Sequence, residues 1–137
     1  MATFHLDLVA PDKLIFHGEV DQIDVPGLEG DFGVFAQHTP TVSLLRPGII
    51  TVYAGSTQTK YVVMGGFIEV SPQGNVTVLA DSAATTAEFD RAALQARIAE
   101  METAVKTMPQ GSVLDNAIAR LDHFKQVNTH LQGTAMH

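Results

Sequence analysis

The chain has 137 residues, 45% of them hydrophobic, with 15 acidic and 8 basic side chains, no cysteine and a net charge of −7. That length holds one modest core, or a sandwich with a small appendage, and fits a multidomain enzyme poorly. The acidic surface repels nucleic-acid phosphate and anionic lipid, and the lack of thiols excludes a disulfide framework and suits a reducing compartment.

From Thr3 the sequence alternates. Phe4, Leu6 and Leu8 fall in one phase and Thr3, His5 and Asp7 in the other, as in a strand with one face turned inward. Ile23 and Val25, Val42 and Leu44, Ile50 and Val52, Ile68 and Val70, and Val76 and Val78 repeat the pattern in short segments. Pro26-Gly27, Pro47-Gly48, Ala54-Gly55-Ser56 and Pro72-Gln73-Gly74-Asn75 punctuate them. Many short strands with no space for crossover helices predict a sandwich or barrel. Within this region, Gly27, Gly30 and Gly33 mark a loop that turns sharply and admits close approach, with Phe32, Val34 and Phe35 anchoring it to the core.

At Ser82 the texture changes. Thr85-Thr86-Ala87-Glu88 reads as a capping box opening a helix. Leu94, Ile98, Met101, Val105 and Met108 then form one stripe, with Glu102 and Lys106 able to pair on the opposite face. Pro109-Gln110-Gly111 ends that helix. Ser112 and Asp115 open a second, striped by Leu114, Ile118 or Ala117, Leu121, Phe124 and Leu131. The expected architecture is α+β: an N-terminal antiparallel β-sandwich over residues 1–84, then a C-terminal antiparallel two-helix hairpin over residues 85–137. Ala92, Ala93, Ala96, Ala99 and Ala104 bury little area, so the hairpin reads equally as a fixed element or as a moving one. Charge follows the same division, residues 1–86 carrying −6 and residues 87–137 carrying −1.

Little in the chain carries chemistry. The glycine series has neither the spacing nor the following lysine of a phosphate loop, and no Gly-x-Ser-x-Gly elbow occurs. His5, His17 and His38 are scattered and His123 and His130 lie seven apart without a ligand pattern, so no metal site and no catalytic residue is expected. An enzyme using Glu88, Asp90 or His38 as acid or base would need a deep pocket that the alternation gives no reason to expect. No apolar run approaches the roughly 20 residues that span a bilayer, and the N-terminal residues lack a signal-like pattern.

Four segments resemble, in order, the epsilon subunit of bacterial F-type ATP synthases: Gly27-Leu28-Glu29-Gly30-Asp31-Phe32-Gly33-Val34, Leu45-Arg46-Pro47-Gly48, Val63-Met64-Gly65-Gly66-Phe67-Ile68-Glu69-Val70 and Val76-Thr77-Val78-Leu79-Ala80-Asp81. The resemblance implies a non-catalytic rotor subunit that joins the gamma subunit to the membrane c-ring. It implies a peripheral location on the cytoplasmic face of a bacterial inner membrane, reached only through the complex. Ala10, His38 and Ser43 fall at positions that face gamma in that family, and Glu29 and Asp31 at positions facing the basic loops of the c-ring. Read without the resemblance, His38 closes a turn by hydrogen bonding and the two acids are ordinary solvated loop residues.

Members of the family also extend the hairpin toward the alpha/beta catalytic head, where basic side chains restrain hydrolysis. Here Arg120 and Lys125 would be that regulatory tail. Some members bind ATP at the first helix, which would correspond to Glu88 and Arg91. However, Ala87 stands where the motif has a large aliphatic residue and Glu88 where it has aspartate, so no cofactor is expected and a helical Glu88–Arg91 surface pair is the competing reading. The alternative function is a stand-alone protein-binding β-sandwich module.

Overall fold

The computed structural model describes residues 2–135, with the side chains of residues 2–131, so residues 136–137 of the expected second module lie outside it. The chain divides into two compact units, Met1–Glu88 and Phe89–His137, four residues later than the sequence pattern places the boundary. The shift arises because the strand region continues through a short last strand and turn before the helices begin.

The first unit is all β: β1 Phe4–Ala10, β2 Lys13–Val20, β3 Gln22–Gly27, β4 Gly30–Phe35, β5 Thr41–Ala54, β6 Thr57–Val70, β7 Val76–Ala80 and β8 Ala83–Thr85. They pair in the order β2-β1-β7-β6-β5-β3-β4, with β8 also on β6. Pairing is antiparallel throughout except between β1 and β7, which run parallel. The first strand's hairpin partner β2 takes one side of β1, and β7 reaches the other side from across the unit.

The two 14-residue strands β5 and β6 explain how one sheet makes two layers. The first half of β5 pairs with the last half of β6, which continues into β7, β1 and β2. The second half of β5 pairs with the start of β6 and with β3, while β8 covers Tyr61–Val63. Pro47-Gly48 is therefore not a break. Pro47 is tolerated inside a strand because β3 leaves register with β5 between Leu45 and Thr51, so no ladder needs the missing N–H there. Leu6, Leu8, Val20, Ile23, Val34, Ile50, Val63, Ile68 and Val78, all fully buried, converge in a single core. At roughly 1.5–3 kcal/mol for each such side chain, this core dominates the stability of the unit.

The alternation predicts the inward phase correctly in every quoted pair but one. Val42 and Leu44 are 70% and 60% exposed, because register sets Ser43 opposite the inward-facing Ile68 and turns its neighbours out. Phe35 is likewise exposed, leaving Phe32 and Val34 to anchor the glycine segment.

The second unit is a helical pair, α1 Arg91–Val105 and α2 Ser112–Ala135. The capping box forms but does not cap the helix. Thr85 Oγ1 donates to the Glu88 carboxylate at 2.8 Å and accepts the Glu88 N–H at 3.3 Å, closing a turn, because Thr85 is still held in β8 opposite Tyr61. The N-cap is Asp90, whose carboxylate accepts the Ala93 N–H at 2.9 Å. Leu94, Ile98, Leu121, Phe124 and Leu131 are buried as the stripes predict, together with Val127, which they omit. Ala117 rather than Ile118 takes the inward position, Ile118 being 41% exposed. Among the described residues no helix is long and apolar enough to cross a membrane.

Candidate docking site

Strands β3 and β4 form a hairpin whose register runs Val25 to Phe32, Pro26 to Asp31 and Gly27 to Gly30, leaving Leu28-Glu29 as a two-residue turn. The glycines are required by this turn. A Cβ on Gly27 would lie 2.4 Å from the Gly30 carbonyl oxygen, and Gly30 has φ +147°, a conformation that side chains resist. Glu29 is exposed at the tip, and Asp31 follows it with a 75% exposed side chain.

The tip is tied down from β5. Arg46 spans two partners, donating to the Gly27 carbonyl through Nη1 and to the Asp31 carboxylate through Nη2. The Leu28 N–H donates to the Leu44 carbonyl at 2.8 Å. Arg46, present in one of the quoted segments yet given no role there, thus holds the acid-bearing hairpin in shape. Arg46→Ala is expected to lower unfolding free energy by about 1–2 kcal/mol in urea titration, most of it from the Gly27 carbonyl, because the bond to exposed Asp31 is screened by solvent.

Beside the hairpin runs an apolar row. Leu44, Phe67 and Leu79 stand opposite one another on β5, β6 and β7, all on the outer face, at 60%, 38% and 39% exposure. Val42 lies two residues along from Leu44 on that face, and Leu28 at the hairpin turn is 49% exposed. A cluster of exposed large apolar side chains on one sheet face marks an interaction surface more than a chance distribution does. The sequence signal for it was present in the Val42/Leu44 alternation, read there as core.

The other expected site residues divide. His38 is half-buried; its Nδ1 lies 2.7 Å from the Thr39 carbonyl and its N–H donates to Phe35 at 3.2 Å, so it does close the turn. Ala10 ends β1 at 6% exposure, and Ser43 is half-buried in the inward phase, so neither offers the side-chain surface that Val42 and Leu44 do. Glu88 belongs to the first unit and is engaged by Thr85, while Arg91 opens α1 in the second; Glu88 precedes the helix and is not on a helical face with Arg91. On the helical pair, Arg120 lies over the Phe124 ring at 5.1 Å. Lys125 pairs with Glu102 at 3.5 Å, so Glu102 reaches across to α2 in place of the expected Lys106 on its own helix.

One grouping escapes the sequence reading. The β1–β2 register brings His17 opposite Asp7, and alternation puts His5 on the same face, so two histidines that looked scattered meet. His17 Nδ1 lies 2.5 Å and His5 Nε2 3.1 Å from the same Asp7 Oδ1, and the rings meet edge to face at 4.6 Å between centroids. The hydrogen bond from His17, with help from His5, holds the Asp7 carboxyl below its usual value against partial burial. Being depressed, this group stabilises the fold above the ordinary carboxylate range, and that contribution is lost as pH falls through the folded value.

An acid-tipped hairpin and an apolar outer row on a sandwich, followed by a helical pair, define a protein built for docking. The family described as ATP synthase, Delta/Epsilon chain, beta-sandwich domain, matches residues 3–86. ATP synthase epsilon chains of Nitrobacter winogradskyi and Afipia carboxidovorans are 58% and 56% identical over 137 residues, covering 100% of both chains in each case. This chain belongs to the ATP synthase delta/epsilon chain family. A chain in the cryo-EM structure of the Euglena gracilis mitochondrial ATP synthase, OSCP/F1/c-ring, superposes with TM-score 0.75 and 29% identity over 100% of this chain and 83% of that one. A chain of the Tetrahymena thermophila mitochondrial ATP synthase central stalk/c-ring shares the fold, with TM-score 0.69 and 14% identity over 93% of this chain and 94% of that one.

Proposed function

We propose that this chain is a non-catalytic central-stalk subunit of a proton-translocating F-type ATP synthase, joining gamma to the c-ring on the cytoplasmic face of a bacterial inner membrane. The observation that carries this reading is the juxtaposition, in a member of the delta/epsilon family, of the acidic hairpin tip with the exposed Leu44–Phe67–Leu79 row. The row and Val42 bury against gamma, with His38 at the margin. Glu29 and Asp31 meet basic loops of the ring, where complementary charge steers and registers the contact. Torque needs a stiff joint, and the 14-residue strands β5 and β6, each shared by both layers, supply one. The chain contributes no reacting group; the chemistry belongs to the alpha/beta head.

The hairpin has a secondary role in this reading, restraining hydrolysis when Arg120 and Lys125 exchange their present partners for acidic groups of the head. Arg120 and Lys125 are themselves exposed, and each present contact is worth about 1 kcal/mol or less, so exchange is inexpensive. Arg120→Ala with Lys125→Ala is expected to raise hydrolysis by the assembled complex at least about twofold; an unchanged rate removes these charges from the mechanism. The Thr85 contact that occupies Glu88, and the incomplete motif around it, support a chain that works without bound nucleotide.

Co-purification tests the main reading. The tagged chain is expected to retain gamma and the c-ring from detergent-solubilised membranes, and a stand-alone β-sandwich module would retain neither.

A further inference from the structure

Two imidazoles and a carboxylate converge on the outer face of the β1–β2 hairpin: the donor atoms of His5, Asp7 and His17 all lie within 4.8 Å of one another. We propose that this trio is a binding site for a divalent transition-metal ion of the zinc class. The donor set decides the class. Imidazole nitrogens favour Zn²⁺, Co²⁺, Ni²⁺ and Cu²⁺ over Mg²⁺ and Ca²⁺, which select oxygen. A tetrahedral ion with bonds of about 2.1 Å holds its donors roughly 3.4 Å apart. The His5 separation from Asp7 Oδ1, 3.1 Å, falls close to that spacing, while the His17 separation of 2.5 Å is a direct hydrogen bond that must open by rotamer change to seat the ion.

The backbone pre-organises the arrangement. Strand period places His5 and Asp7 on one face, and the antiparallel ladder fixes His17 across from Asp7, so all three ligands stand on paired strands and not on loops. Glu19, opposite His5, adds negative charge beside the site. Three protein ligands leave a coordination position open, and the exposure of His17 gives an ion direct access from solvent. A bound ion cross-links β1 to β2, which is the outermost strand of the pairing order, and so secures an edge of the sheet. The trio also lies in the same cross-strand row as Val42, through Thr77 and Glu69. Asp7 and Val42 are about 14 Å apart, three strand spacings. The ion would therefore sit on the outer face used by the apolar row but outside it, and this inference does not depend on the proposed function.

The test is calorimetric titration of the full chain with Zn²⁺ in chelator-free buffer near neutral pH, with thermal unfolding in parallel. Saturable binding of a single equivalent is expected, with Kd of about 10 µM, and a rise in Tm when zinc is in excess. His5→Ala and His17→Ala should each weaken that binding at least about tenfold, while His123→Ala with His130→Ala leaves it unchanged. Metal-free Tm values for all variants establish that each is folded. Absence of saturable binding up to about 200 µM zinc, or unchanged binding in the His5→Ala, His17→Ala double variant, would overturn the proposal.

Discussion

Gly66→Ala is expected to be the most damaging single-methyl change in the sandwich, lowering unfolding free energy by about 3 kcal/mol or more. An added Cβ would lie 2.1 Å from the Leu79 carbonyl oxygen and 2.8 Å from the Ala80 Cα, and both obstacles are backbone of the paired strand β7. Neither can move without opening the β6–β7 ladder, which joins Gly66 to Ala80. The residue also has φ +138°, so the methyl group is strained before it clashes. Gly74→Ala separates the two effects. Its φ is +86° with nothing within 4 Å of the new atom, so it should lose only about 1 kcal/mol. Urea unfolding of both variants measures the difference, and equal losses would mean that close packing at Gly66 contributes nothing.

Leu44→Asp should have the opposite profile, sparing the fold while disabling docking. Leu44 is 60% exposed, so its replacement should change unfolding free energy by less than about 1 kcal/mol. At the centre of the gamma contact proposed above, the same change would remove an apolar anchor and strand a carboxylate. Binding to gamma is expected to weaken about 100-fold or more. Surface plasmon resonance with immobilised gamma reads this directly. Equal affinity for the variant and the parent chain would place the gamma contact elsewhere.

The two expectations also locate what could be read from sequence. Period two found the core strands because Leu6, Leu8, Ile68 and Val78 obey it, and the helical stripes found Leu94, Ile98, Leu121 and Phe124. Val42 and Leu44 obey it equally, yet point outward. An alternating pair fixes only that two residues share a face, and which face was decided by pairing with β6. The capping box failed for a related reason: Thr85 and Glu88 have the right chemistry, but β8 pairing claims Thr85 first and leaves Asp90 to start the helix. Cross-strand register likewise hid the His5, Asp7 and His17 grouping, whose members lie up to twelve positions apart in the chain. Arg46 was legible as a residue in a segment and illegible as a tether, since its partners Gly27 and Asp31 come from another hairpin.

ATP-driven proton pumping in vesicles carrying the complex depleted of this chain tests the central claim most directly, with hydrolysis followed in the same sample. If the chain is the joint between gamma and the ring, adding it back restores protons moved per ATP hydrolysed, and the Leu44→Asp form fails to do so at the same concentration. Full coupling in the depleted vesicles, unchanged on adding the chain, would contradict the account.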